Sequence, residues 1–302
     1  MSPSASARKI SYRLKEATKC PACGTEHFKE EMLSGSGRLN AGKLMPDLRR
    51  LYEPTKKWGK VQPLNYIMQV CPKCLFTAFS KDFESLNANE LQAIKTTTPH
   101  RMKLVETVFG KLNMDDDRED AHGAASYMLA IDCYHLRTAD IAPTPKKAVC
   151  CIRAAWLLDD LAQDFPQRPF NKAADFYYTQ AAKEYGVTLE LMQNGAEPVE
   201  LALPIMGPSI DFNFAFDGIV YLNSYLTRKY IDDIAKTPQD KIKVLDTAKR
   251  YLSKLYGSGK ASKNKPVIMI DMSKEMFDDM GSMIEKLNEE IGNPPASQPE
   301  TT

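Results

Sequence analysis

No stretch of this 302-residue chain approaches the roughly 18 consecutive apolar residues of a membrane span. From Met1 to Lys15 there is no apolar run of the kind a secretory signal needs, so a cytoplasmic location is expected. Histidine is scarce, at four residues, and none has a plausible nucleophile beside it in sequence. The phosphate-loop pattern G-x-x-x-x-G-K-[ST] and the nucleophile elbow G-x-S-x-G are both missing. Ser34-Gly35-Ser36-Gly37 reads as a turn without a following phosphate-binding lysine. Together these absences argue against a hydrolase or nucleotide-binding enzyme, and the expectation is a protein without catalytic residues. Strong net charge is absent too, at +1 overall. That balance hides an asymmetry, because residues 1–60 hold 13 Lys/Arg against 6 Asp/Glu. The head is basic and the body mildly acidic.

What is present is cysteine in pairs. Cys20-Pro-Ala-Cys23-Gly and Cys71-Pro-Lys-Cys74 are two C-x-x-C knuckles, and each can turn two thiolates toward one ion. Proline after the first cysteine biases each turn, and Gly24 gives backbone freedom where the first one folds back. Two knuckles complete a Cys₄ set, so Cys20, Cys23, Cys71 and Cys74 are the predicted ligands of a structural Zn²⁺. A catalytic zinc would keep one position open. Forty-seven residues separate Cys23 from Cys71, against roughly 15–20 in a compact ribbon. Loop-closure cost rises only logarithmically, so the insertion, looped out or carrying helix of its own, does not forbid the site. Leu75 stands where a glycine is expected after the second knuckle. His27 lies near the first knuckle but is not needed as a ligand. Cys133, Cys150 and Cys151 fall in helical patterns and read as buried thiols.

The insertion supplies a basic stretch. Arg38, Lys43, Arg49, Arg50, Lys56 and Lys57, with Trp58 interleaved, are the candidate contacts to an anionic partner, either nucleic-acid phosphate or an acidic protein surface. A solvated basic loop is the plainer reading of the same residues.

Beyond residue 86 the pattern is helical. Leu86 to Leu112 reads as helix around a break at Pro99, and Asp115 to Asp120 as an acidic linker favouring the next helix start. Ala124 to Tyr134, Val149 to Leu161 and Phe170 to Tyr185 carry successive apolar faces. A Gly/Pro-rich interruption from Asn194 to Pro208 precedes three more, at Phe216–Tyr230, Ile242–Leu255 and Met272–Leu287. Thr144-Pro145 and Thr237-Pro238 open two helices whose apolar residues follow at identical spacing. The expected fold is mainly α, with a zinc-knuckle head of the zinc-ribbon kind and a tetratricopeptide-like stack of antiparallel helix pairs. A non-repetitive bundle is the alternative, since no strict 34-residue period is visible. The expected organisation is a flexible tail (1–17), a zinc-binding head (18–85), a helical-repeat body (86–292) and a disordered tail (293–302).

The knuckle residues Cys20-Pro-Ala-Cys23-Gly-Thr-Glu and Val70-Cys71-Pro-Lys-Cys74, continuing as Phe76-Thr-Ala-Phe79-Ser-Lys-Asp-Phe83, resemble a bacterial family known as a domain of unknown function. That family joins two CPxC knuckles to tetratricopeptide-like helices. The resemblance implies zinc on the four cysteines and a cytoplasmic helical body, and it implies no activity. The leading expectation is therefore a non-enzymatic protein–protein interaction scaffold that binds its partner through the helical body. A nucleic-acid-associated zinc protein using residues 34–60 is the alternative.

Overall fold

In the computed structural model, residues 9–35, 37–257 and 267–292 are described; the expected 293–302 tail and residues 1–8 of the expected 1–17 tail lie outside them. The chain is mainly helical and divides between Asn213 and Phe214 into two compact units. No helix among the described residues is long and apolar enough to cross a membrane.

The first unit opens with short antiparallel ribbons. Strand β1 (Ser11–Arg13), inside the segment read as tail, pairs with β4 (Glu30–Met32). Between them β2 (Thr18–Lys19) pairs with β3 (Glu26–His27). Among its described residues the long insertion carries no helix longer than the 3₁₀ turn Pro63–Tyr66, and it folds as a third ribbon, β5 (Ala41–Leu44) with β6 (Arg50–Tyr52). The fourth is β7 (Met68–Val70) with β8 (Thr77–Phe79). Strands of two to four residues bury too little to stand alone, so each ribbon depends on what it packs against.

Helices follow: α1 (Ser80–Phe83), α2 (Ala88–Thr96), α3 (Thr98–Phe109), α4 (Asp120–Tyr134), α5 (Pro143–Asp164) and α6 (Phe170–Asn194). Asn87 and Glu90 close a capping box at the start of α2. The break predicted at Pro99 falls between α2 and α3, where proline sits in the first turn and its missing N–H costs nothing. The acidic run ends where α4 begins. α4 and α5 are buried on nearly every side and form the centre, with α5 packed between α4 and α6. Fully buried Val149, Ile152, Ala155 and Leu158 hold the predicted face of α5, with Trp156 also at zero exposure. Thr144 at its start is capped by Glu197, whose carboxylate accepts from the backbone N–H at 3.0 Å and from the hydroxyl at 2.7 Å.

The insertion is tied to this centre. Leu48 is buried at a left-handed φ of +62°, in a turn closed by Met45 and Arg49. The Trp156 indole donates to Asp47 at 2.6 Å, and Arg49 reaches Asp160 at 2.5 Å and the Trp156 carbonyl at 3.2 Å.

The second unit contains α7 (Ala215–Lys229), α8 (Ile231–Ile234), α9 (Pro238–Gly257) and α10 (Val267–Gly292). Thr237 caps α9, as its position before Pro238 predicts. Leu245, Ala248, Met280, Ile231 and Ala235 make the core, and α9 packs on both α7 and α10. The two helices with matching sequence spacing thus differ in burial. α5 is enclosed, whereas α9 buries one stripe through Leu245, Ala248, Leu252 and Leu255 and leaves Tyr251 half-buried.

Candidate metal centre

Each cysteine knuckle is the turn of a ribbon, and the two turns are built alike. In the first, between β2 and β3, Cys20 N donates to Thr25 O and Gly24 N to Cys20 O, both at 2.9 Å. In the second, between β7 and β8, Cys71 N donates to Phe76 O and Leu75 N to Cys71 O, again both at 2.9 Å. The residue after the second cysteine must turn left-handed in each case: Gly24 at φ +74° and Leu75 at φ +57°. Leucine tolerates the strained position because its side chain is buried there, whereas glycine adopts it without a Cβ penalty.

These turns bring the four sulfurs within 4.8 Å of one another. Cys20 Sγ lies 3.7 Å from Cys74 Sγ, and Cys23 Sγ 3.5 Å from Cys71 Sγ. A tetrahedral ion with metal–sulfur bonds near 2.3 Å needs sulfurs about 3.8 Å apart, so the donor set and its spacing fit such an ion. Cys20, Cys71 and Cys74 are buried, and Cys23 faces outward. The Cys20 and Cys74 thiols beside Cys71 hold it far below the ordinary thiol value. In return, Cys71 pushes Cys20 up to about 12, and Cys74 is pushed up by Cys20. Four thiols crowded this closely cannot all ionise without a cation among them.

Residues distant in sequence hold the knuckles in place. Arg101 of α3 has no exposed surface, and its guanidinium donates to the Cys74 carbonyl from Nε at 3.2 Å and Nη2 at 3.1 Å. The rest of the fork reaches Ile94 O at 2.6 Å, Thr97 Oγ1 at 2.7 Å and Thr98 Oγ1 at 3.0 Å. Among the described residues, the carboxylate paired with it is Asp132, 3.8 Å away. Below the second knuckle, Asp82 of α1 accepts from Tyr134 at 2.6 Å and pairs with Lys146 of α5 at 2.7 Å, while Tyr134 accepts from Phe79 N at 3.1 Å. Phe83 lies 4.9 Å from Phe76 and 5.6 Å from the His27 ring, joining the two knuckles through aromatic contact. Asp82 and Phe83 are the last two residues of the second sequence piece quoted above. Arg101 and Lys146 carried no signal of their own in sequence, because their partners are far along the chain.

His27 is buried against Phe83 and stands outside the sulfur cluster. Cys133, Cys150 and Cys151 are buried in α4 and α5, where desolvation raises all three thiols, Cys133 and Cys150 to about 12. The basic stretch disperses. Arg49 is committed to Asp160, and Arg50 pairs with Asp211 at 2.8 Å. Arg38 donates to Ser34 O at 2.7 Å and Gly35 O at 2.9 Å. Trp58 is buried, with Arg38 and Lys57 over its ring at 5.0 and 4.9 Å. Lys43, Lys56 and Lys57 remain exposed.

Residues 14–280 match the family described as "Uncharacterized protein conserved in bacteria (DUF2225)". The chain is similar to a protein of Borreliella burgdorferi (strain B31) described as "Uncharacterized protein". The two are 37% identical over 271 residues, which cover 89% of this chain and 96% of the relative. No solved structure matches the chain.

Proposed function

We propose that this chain, which belongs to the bacterial family just described, is a non-enzymatic interaction scaffold whose head is fixed by one structural zinc ion. The observation that carries the reading is the convergence of Cys20, Cys23, Cys71 and Cys74 to within 4.8 Å on two turns of matching hydrogen bonding. All four positions of a tetrahedral ion are filled by protein, which leaves no open position for substrate. The zinc ties the 18–85 head together, and the 86–292 helices, with their tetratricopeptide-like pairing, offer a cytoplasmic partner its docking surface. Sequential packing of α4 with α5, α5 with α6, and α9 with α10 supports that arrangement.

Nucleic-acid binding through residues 34–60 is the weaker reading. Arg49 and Arg50 are paired with carboxylates and Trp58 is covered, so few groups are left for phosphate contact or base stacking.

Elemental analysis of protein purified without chelator tests the metal. About one zinc per chain is expected, lost in the Cys20→Ser/Cys71→Ser variant. Absence of metal from the folded protein would refute the site. Cross-linking in cells, followed by a salt titration of the recovered complex, tests the partner. A protein partner retained at high salt supports the scaffold, and release of nucleic acid with a steep salt slope supports the alternative.

A further inference from the structure

Away from the cysteines, a cleft of about 740 Å³ opens at the start of α4, between the β1–β4 ribbon, residues 60–66 and the facing ends of α3, α5 and α6. That size falls within the range of small-molecule sites. Its floor is apolar, formed by Val61, Phe109, Leu112, Leu161, Phe165 and Phe170, and its walls carry charges of both signs.

Arg118 stands out in the wall. Its backbone N–H donates to Glu30 Oε2 at 3.0 Å, yet its guanidinium has no hydrogen bond or ion pair among the described residues, and Nη1 is buried without a partner. The other described arginines of this unit behave differently: Arg13, Arg38, Arg49, Arg50, Arg101, Arg137, Arg153 and Arg168 each donate to a carboxylate or a carbonyl. Glu30, the carboxylate whose field Arg118 feels most, is buried and already accepts from the Ser11 hydroxyl and the Arg118 backbone. Burial holds the Arg118 guanidinium below its ordinary value, and the field of Glu30 offsets that only in part. A guanidinium without a hydrogen-bond partner at the edge of an apolar floor suits a carboxylate ligand.

The remaining charges narrow the class. Asp120 and Asp164 are bridged by Lys60 at 3.1 and 3.5 Å, and Asp117, Glu119 and Glu30 bring the lining carboxylates to five against four cations. A polyanion such as a nucleotide would meet this excess of negative charge. A ligand carrying one ammonium as well as one carboxylate would not. We infer that the cleft binds a small apolar zwitterion, either a free apolar α-amino acid or a short apolar peptide. Its carboxylate sits on Arg118, its ammonium faces Asp164 and Glu119, and its side chain lies on the Phe109–Phe165 floor.

Calorimetric titration of the full chain with phenylalanine and with the dipeptide Phe-Leu distinguishes the two sources. 3-Phenylpropionate and phenethylamine each remove one charge. Saturable binding of at least one zwitterion is expected, weakened at least about tenfold by loss of either charge and by Arg118→Gln. Ala121→Phe, which places a ring in the cleft and leaves Arg118 in place, should abolish binding, and it serves if Arg118→Gln does not fold. The inference is overturned by either of two results. One is no saturable heat from either zwitterion at concentrations of about 10 mM. The other is unchanged affinity in a folded variant or for 3-phenylpropionate. The inference does not rest on the zinc reading, so zinc content should be unaffected by either variant.

Discussion

The Arg101 guanidinium and the Cys74 carbonyl oxygen are joined by two hydrogen bonds, from Nε at 3.2 Å and Nη2 at 3.1 Å, inside a core that excludes water. A divalent ion on four thiolates leaves the site with two negative charges. Arg101 sits next to one of the candidate ligands, and among the described residues the carboxylate paired with it is Asp132, at 3.8 Å. It therefore fixes the second knuckle and, with a divalent ion on the four thiolates, would lower the electrostatic cost of gathering them.

Replacing Arg101 by Met should leave the Cys74 and Ile94 carbonyls without these donors and destabilise the first unit by about 2–4 kcal/mol. A purely structural role would stop there. An electrostatic role adds faster metal loss, at least about tenfold in a chelator competition followed by colour change. Arg101→Lys should restore part of the metal retention, because it keeps the charge and loses the two-pronged bond. Equal release rates in wild type and a folded Arg101→Met would remove the electrostatic role.

The two knuckles were legible in the sequence because a ligand pair needs only four residues and proclaims itself twice. The ribbons that carry them were not. Strands such as Thr18–Lys19 and Glu26–His27 are too short to show alternation, and their pairing is dictated by the turn and the thiols. Helices α3 to α7, α9 and α10 were visible because each repeats its apolar face over three or more turns. Arg101 and Lys146 were hidden for a different reason: each looks like an ordinary surface charge until a partner 27 or 64 residues away covers it. Arg49 and Arg50 show the converse: their place in a basic stretch is plain in sequence, but their pairing with Asp160 and Asp211, more than 100 residues away, is not.

Leu75 allows a test of two opposed effects at one position. Leu75→Gly removes left-handed strain of about 1–2 kcal/mol but also removes a buried side chain that contributes about 2–3 kcal/mol. The burial should win, giving a net loss of about 1 kcal/mol in chemical denaturation with metal content unchanged. At the matching position, Gly24→Ala adds strain without gaining contacts, since the new Cβ would meet only Lys19 Cε at 3.9 Å. A cost of about 1 kcal/mol is expected there. A stabilised Leu75→Gly would mean that strain, not packing, dominates the second knuckle.

His122 predicts the direction of a pH effect. It is buried, its Nδ1 accepts from Glu119 N at 3.3 Å, and its Nε2 donates to Asn113 O at 3.2 Å, a pattern that needs the neutral ring. Burial lowers its value below 6.5. The unfolded chain therefore takes up the proton first on acidification, and stability falls as pH drops below about 6.5 toward the folded-state value. His122→Gln should flatten that part of the stability–pH curve, measured by denaturant unfolding between about pH 5 and 7.5. An unchanged slope in the variant would assign the acid sensitivity elsewhere.

Gly123, in the first turn of α4, decides between helix propensity and packing. Alanine is the better helix former by about 1 kcal/mol, so propensity alone predicts that Gly123→Ala stabilises. The structure predicts the opposite. A Cβ there would lie 2.1 Å from Asn65 Oδ1, 2.9 Å from Asn65 Cγ and 3.0 Å from Leu157 Cδ1. Asn65 cannot swing aside cheaply, because it is buried and its Nδ2 donates to Asp120 at 2.9 Å. Overpacking of this kind costs about 1–3 kcal/mol, enough to outweigh the propensity gain. Asn65→Ala removes the obstructing amide, so in the double variant the alanine at 123 should become neutral or favourable. A double-mutant cycle by thermal unfolding should return a coupling of at least about 1 kcal/mol in the rescuing direction. Additive effects would show that the close approach of Asn65 to the α4 backbone is not what requires glycine.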